Sequence, residues 1–292
     1  MTQELIKEIR ARLSASQMEM AVLLGVSFQT VNRWENGHAL PNKLAETRLF
    51  ELCKANGISL YDSILGRIRS EVEQCALPPG RVLLYHGSKA GIDGPIRPNS
   101  RAQCDFGPGF YMGTEAAQAL TLVCDYDRSK LYVVSIDLTE LRTAEIPEGI
   151  DWAMLVAFHR GKMETARGST LYERYRNLTV NQDVLIGSIA DDRMFFVLDN
   201  FFIGNINDKA LVQSLSALKL GKQYAALTEK ACEAICIEKE ITLSYLERLF
   251  VKEAASENRS KGIALAKAVC KEYRREGRFF DEILADAEGG AR

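Results

Sequence analysis

The sequence predicts a multi-domain protein: an all-α domain first, an α+β domain in the middle, and helices at the C-terminal end. Three observations lead there. Residues 4–65 carry apolar side chains at helical spacing. Pro78-Pro79 then interrupts, and two prolines cannot continue a helical hydrogen-bond ladder. From Arg81 to about residue 239, short β-branched and aromatic runs replace the helical texture, which returns over 240–292. The expected domains are therefore 1–65, a helix end and Pro-rich linker at 66–80, an α+β unit at 81–239, and a helical extension at 240–292.

Each element has its own signal. "LIKEIRARL" places Leu5, Ile6, Ile9 and Leu13 on one helical face, with breaks at Ser14-Ala15-Ser16, Gly25 and Gly37. A further helix is expected to run to about Cys75. "RVLLYHGS", "GFYMGT" and "KLYVVSIDL" read as strands, the last by its alternation. "NDKALVQSLSALKLG" reads as a helix with Asn207 or Asp208 at its start and Gly221 after its end. "QYAAL" and "AICIE" read as late strands. Strands separated by irregular loops argue for α+β rather than a doubly wound sheet. In 240–292, Leu243, Leu246, Leu249 and Phe250 share a face, and ten Lys/Arg balance ten Asp/Glu, so the outer faces are solvated rather than basic. That extension is read either as an inhibitory cap or as an oligomerisation arm.

Composition narrows the function classes. The 292 residues are 47% hydrophobic and 26% charged, with a formal net charge of -2, so no chain-wide basic field points to nucleic acid. The seven cysteines are odd in number and form no Cys-x-x-Cys, and only three histidines are present. Neither a disulfide framework nor a metal site is expected, and a reducing cytoplasm fits. Cys232 and Cys236 read as apolar packing on one helix face. The first residues include acidic side chains and no apolar run, so no signal peptide is expected. No stretch approaches the roughly 18 apolar residues of a membrane helix, so no membrane partner is expected.

A DNA partner is argued locally. Ser16 caps a helix bearing Met20, Ala21 and Leu24, Gly25 permits a tight turn, and Ser27 caps a second helix, "FQTVNRWENG". Val31 and Trp34 face inward; Gln29, Thr30, Asn32 and Arg33 face outward. Two short helices around a Gly-containing turn make a helix-turn-helix. Gln and Asn suit adenine and Arg suits guanine in the major groove. The competing reading is a helical protein–protein module on the same scaffold. Gln17, Ala21, Leu24-Gly25-Val26-Ser27, Thr30-Val31 and Trp34-Glu35-Asn36-Gly37 before Pro41 resemble the lambda-repressor-like (XRE) family. The resemblance implies that Gln17 touches a phosphate and that residues 27–33, with Ser27 at their head, lie in the groove. Residues 1–70 hold nine Lys/Arg against seven Asp/Glu, so useful affinity is expected to need a homodimer.

The stretch "DFGPGFYMGT" (105–114) contains the Asp-Phe-Gly of protein kinases, but the loop, lysine and catalytic-loop signatures that must precede it are missing. Another constellation fits better. His86 ends a strand, Tyr111 lies in the next, and glycines surround both. His86 is expected to bond a ribose hydroxyl, Tyr111 to stack on a flat ring, and the Gly87 backbone and Ser88 hydroxyl to hold a carboxamide.

"YHGS" (85–88), "DFGPGFYMGT" with "EAAQA" (105–119), "WAMLVAFHR" (152–160), "DVLIGSIADDR" (183–193) and "KQYAALTEKA" (222–231) resemble, in order, an uncharacterised bacterial family of the ADP-ribosyltransferase superfamily, in its His-Tyr-acid, diphtheria-toxin-like branch. The resemblance implies two small antiparallel sheets and NAD as co-substrate, without a metal. It implies cleavage at the nicotinamide bond through an oxocarbenium-like state and transfer of ADP-ribose to an unknown macromolecular acceptor. His86, Tyr111, Asp192 and Gln223 are the expected catalytic positions, Gln223 standing where the superfamily usually has Glu. Tyr85, Gly87, Ser88, Phe106, Gly107, Gly109, Phe110, Trp152, Arg160 and Asp191 are expected around the cofactor, Arg160 on a phosphate. Two functions remain open. One is a mono-ADP-ribosyltransferase, a toxin or phage-defence effector with an antitoxin or cognate partner, fused to its own regulator. The other is a transcriptional regulator whose weak transferase-like domain senses NAD or a related nucleotide.

Overall fold

A computed structural model describes residues 3–190, 192–219 and 221–289. Five helices come first: α1 (Gln3–Arg12), α2 (Gln17–Leu24), α3 (Phe28–Glu35), α4 (Lys43–Ala55) and α5 (Tyr61–Glu73). Their ends are fixed locally. The Ser16 hydroxyl accepts the Glu19 N–H, and the Glu19 carboxylate accepts the Ser16 N–H at 2.7 Å, a reciprocal capping box. Gly25 closes α2 at φ 67°, a left-handed conformation natural to glycine. Ser27 caps α3 by accepting the Thr30 N–H, and Asn42 caps α4 likewise.

The strands are β1 (Arg81–Ser88), β2 (Phe110–Gly113), β3 (Lys130–Asp137), β4 (Thr143–Glu145), β5 (Val184–Ser188), β6 (Lys222–Ala226) and β7 (Ile235–Ile241). Helices α6 (Ala116–Thr121), α7 (Ile150–His159), α8 (Thr170–Leu178), α9 (Asp192–Phe202), α10 (Asp208–Leu218), α11 (Glu229–Glu233), α12 (Tyr245–Glu272) and α13 (Phe280–Gly289) complete the chain. Asn207 caps α10, but its left-handed end residue is Lys219 rather than Gly221; Gly221 instead lies against the Gln118 amide.

The expected two small antiparallel sheets are corrected to one seven-stranded mixed sheet, ordered β4-β5-β6-β2-β1-β3-β7. Among the described residues only β4 and β5 run parallel, because the chain between them crosses over through α7 and α8. β1 pairs with β3 over its whole length, and β2 pairs with β6 over all four of its residues. Between β1 and β2 the ladder is one pair, Tyr85 opposite Gly113. Two well-paired halves thus meet at a narrow seam, because β2 is short and reaches β1 only with its last residue.

The N-terminal helices are not a free appendage. Their core (Ile6, Ile9, Met20, Leu24, Val31, Leu49, Ile64) is continuous with Leu120 of α6, Val133 of β3, and Leu246, Phe250 and Val251 of α12. The Glu46 carboxylate of α4 accepts the Leu246 N–H at 2.7 Å, at the start of α12. Burial raises the Glu46 carboxyl above the ordinary range. Helix α12 also carries Ala266 into a second core, which takes Tyr111, Ala225 and Leu185 from the same face of the sheet. Within 240–289, Leu246, Phe250 and Val251 pack in the helical core and Ala266, Phe280 and Leu284 in the second core.

Candidate active site and DNA interface

Helix α3 is anchored by Val31 and Trp34, both buried. Beneath it, Glu35 accepts from Arg10 (2.6 and 3.1 Å) and from the Gln17 amide (2.7 Å). Burial works against the Glu35 charge, but these donors outweigh it and hold its carboxyl below the usual range. Gln17 in turn accepts from Asn32 at 3.3 Å. One of the two Gln17 amide N–H groups is thus taken up by Glu35, and Asn32 is half-buried against Gln17. Thr30 is half-buried and shares a 2.9 Å hydroxyl contact with Ser27. Gln29 and Arg33 stand exposed, and of the predicted set they are the two best placed to reach base edges.

The second site lies at the seam. His86 is half-buried, and its Nδ1 is 2.7 Å from the Tyr111 carbonyl oxygen. A carbonyl only accepts, so Nδ1 carries the proton and Nε2 keeps its lone pair. Burial lowers the His86 pKa, with the bond to Tyr111 opposing, so the ring is neutral at pH 7. Among the described residues Nε2 has no hydrogen-bond partner within the protein.

The ring stacked on His86 is Phe110, at 4.1 Å between centroids and 23° between planes, not Tyr111. Successive strand residues point to opposite faces, so Phe110 and Tyr111 diverge. Phe110 joins Leu84, Met112 and Tyr132, whereas Tyr111 packs on the core beneath α7. The Tyr111 hydroxyl donates to the Gly107 carbonyl (2.7 Å) and accepts the Phe106 N–H (3.0 Å). Burial pushes its pKa far above the ordinary tyrosine range. His86 therefore meets the Tyr111 backbone while the Tyr111 ring braces the Asp105–Gly107 turn.

Below that turn sits a buried polar network. Asp105 accepts from Arg160 at 2.6 Å and from the Gln223 amide at 3.1 Å. The same Gln223 nitrogen donates to the Ser188 carbonyl at 3.0 Å, which also receives the Trp152 indole N–H at 3.0 Å. Arg160 lies over the Phe195 ring at 4.3 Å. Tyr111, Asp105, Arg160 and Gln223 are brought together on one face of the sheet, and His86 reaches them through the Tyr111 backbone.

Several expected contacts resolve differently. Gly87 is required by packing: a Cβ there would lie 2.4 Å from the Ala119 carbonyl of α6. The Ser88 hydroxyl donates to the Gly91 carbonyl at 2.7 Å, within its own turn. Tyr85 points into the helical core. Trp152 and Phe106 are buried in the core. Gly107 has φ 83° and faces the His159 ring, and Gly109 allows the Ala226 carbonyl to approach. Arg160 is paired with Asp105. Asp191 lies outside the described residues, as does the side chain of Asp192, whose backbone begins α9.

Two residues were missed. Asp105 opens both the kinase-like triplet and the stretch "DFGPGFYMGT", and it has no place among the expected site residues. His159 was quoted within "WAMLVAFHR" and given no role. It lies against Gly107, its Nε2 is buried without a partner, and burial lowers its pKa to about 4. Asp105 and Gln223 are 118 positions apart, and neither has a local pattern that signals the contact.

No helix among the described residues is long and apolar enough to cross a membrane. The helix-turn-helix family model matches residues 6–62. No curated protein and no solved structure matches the chain. A second family model matches residues 82–236, just over half of the chain, and spans both sides of the seam together with the Asp105–Gln223 network. The chain therefore belongs to the family described as "Protein of unknown function (DUF3990)", here carrying a helix-turn-helix at its N-terminal end.

Proposed function

We propose that this DNA-binding regulator is also an NAD-dependent mono-ADP-ribosyltransferase, and that its helix-turn-helix is sequence-specific and autoregulatory. One observation carries the transferase reading. The β1–β2 ladder stops after one pair, and His86 stands at that opening with Nδ1 tied to the Tyr111 carbonyl and Nε2 free to accept. A neutral, oriented acceptor beside unpaired strand edges suits a ribose hydroxyl. The ordered resemblance from "YHGS" to "KQYAAL" supports the same chemistry.

In this reading NAD is the substrate. His86 Nε2 accepts from a ribose hydroxyl, and Phe110 keeps the imidazole in plane. The Gln223 carbonyl oxygen accepts from a second hydroxyl, because its nitrogen is already engaged. The C–N bond to nicotinamide breaks, and neutral nicotinamide leaves with the electron pair. A nucleophile on a macromolecular acceptor bonds to the anomeric carbon and releases its proton to solvent. An antitoxin-like partner, a homodimer on DNA and a toxin or phage-defence role belong to the same proposal. Incubation of the purified chain with labelled NAD and cell lysate tests it: nicotinamide release and label transfer are expected, both lost in His86→Ala. Absence of both from the wild type overturns it.

A second reading, an NAD-sensing regulator, draws on one feature. Asp105, the carboxylate beside Gln223, is neutralised by Arg160, leaving an amide where charge stabilisation is wanted. Binding without turnover, with NAD changing DNA affinity, would select it.

A further inference from the structure

We propose that Asp105 is the positioning residue of this site: it fixes the Gln223 amide so that only a carbonyl oxygen is presented to the ribose, and it thereby excludes a carboxylate from position 223. The inference rests on the transferase reading for the ligand, but its structural part stands alone.

Gln223 lies on β6 between two glycines, opposite Gly113 of β2 and Gly187 of β5. Its amide nitrogen faces two groups that only accept, the Asp105 carboxylate at 3.1 Å and the Ser188 carbonyl at 3.0 Å. The reversed amide would set its oxygen against both, so the orientation is chemically determined. Asp105 is itself immobilised. Arg160 holds its other oxygen at 2.6 Å, and the following turn is braced by the Tyr111 hydroxyl on Phe106 and Gly107. Both carboxylate and amide are buried, Asp105 at 9% and Gln223 at 7% exposure. Exchanging such a buried ion pair for apolar packing is often neutral or stabilising, so the pair calls for a role other than stability.

Two consequences follow. A glutamate at 223 would be ionised next to Asp105, with like charges about a hydrogen-bond length apart, and one of the pair would hold a proton well above the ordinary carboxylate range. Once protonated, that glutamate imitates the native amide: its O–H donates to Asp105 and its carbonyl oxygen accepts from the ribose. Restoring the acid common at this place in the superfamily is therefore expected to impair the site at neutral pH and to repair it on acidification.

The test is NAD titration by calorimetry on the full chain at pH 8 and pH 5.5, with thermal melts of every variant. Wild type sets the baseline at each pH, including any change that protonation of His86 brings, and each variant is compared with it at the same pH. Gln223→Glu should bind about tenfold or more weakly at pH 8 and approach wild type at pH 5.5, a loss of the size that one unmade hydrogen bond produces. The pair Asp105→Asn with Gln223→Glu should remove the pH dependence. Gln223→Met, which keeps the volume without the acceptor, should bind weakly at both pH values. Equal or tighter binding by Gln223→Glu at pH 8, or unchanged binding by Gln223→Met, overturns the proposal. If wild type does not bind NAD, the transferase reading fails, and the melts decide the rest. Gln223→Glu must then gain stability relative to wild type between pH 8 and 5.5, and equal changes in both overturn the Asp105–Gln223 coupling.

Discussion

His159 is expected to make the protein acid-sensitive. The ring ends α7, lies edge-on to Phe158 at 5.1 Å between centroids and rests against Gly107, where an added Cβ would sit 3.0 Å from Nδ1. Its Nε2 has no partner, and burial lowers its pKa from 6.5 to about 4. Between those values the unfolded chain binds a proton that the native ring refuses. The native advantage is complete above pH 6.5 and is lost as pH falls through about 4. At about 1.4 kcal/mol per unit, most of the interval is spent by pH 4.5, a loss of about 2.5 kcal/mol. His159→Leu removes the titrating group and the orphaned nitrogen and is expected to be near neutral at pH 7.5. Urea denaturation of both proteins at pH 7.5 and pH 4.5 measures the difference, in which the other carboxylates and histidines cancel. Wild type should lose about 2.5 kcal/mol more than the variant, or roughly 5–10 °C in melting temperature. Equal losses would refute the assignment of His159 as a buried, neutral, unpartnered ring.

Gly87→Ala forces a Cβ to within 2.4 Å of the Ala119 carbonyl, so α6 must move; a loss of about 1–3 kcal/mol is expected by denaturation, and an unchanged midpoint would show that α6 does not pack there. Arg33→Ala removes an exposed side chain of α3 and should weaken specific DNA binding by about 1–3 kcal/mol in a mobility-shift titration while leaving the melting temperature unchanged. Equal affinity, or equal loss on specific and random sequence, would take Arg33 off the base edges.

What could be read from sequence was what local physics determines. The caps at Ser16, Ser27 and Asn207 and the left-handed Gly25 involve partners within a few residues, and the helix-turn-helix follows from them. Strands with β-branched alternation, β3 above all, were equally visible. The joining of the sheet was not, because it depends on a single cross-strand pair between Tyr85 and Gly113. Alternation along β2 was available in principle: it separates Phe110 from Tyr111 and assigns the stacking ring to Phe110. The Asp105–Arg160–Gln223 network was hidden for another reason. Its members lie on three distant elements, and the Asp105 motif carries a stronger, misleading association with kinases. The continuity of the two domains through α12 was hidden as well, since a balanced surface charge says nothing about where Leu246 and Phe250 are buried.

The central claim is that the opening between β1 and β2 binds NAD through His86. Calorimetric titration of NAD into the full chain, wild type against His86→Ala, tests it most directly, with melts to show that the variant is folded. Wild type should show saturable one-to-one binding and the variant at least about a tenfold weaker affinity, as expected for loss of one oriented hydrogen bond in a half-buried site. No binding by wild type, or the same affinity in both proteins, would contradict it.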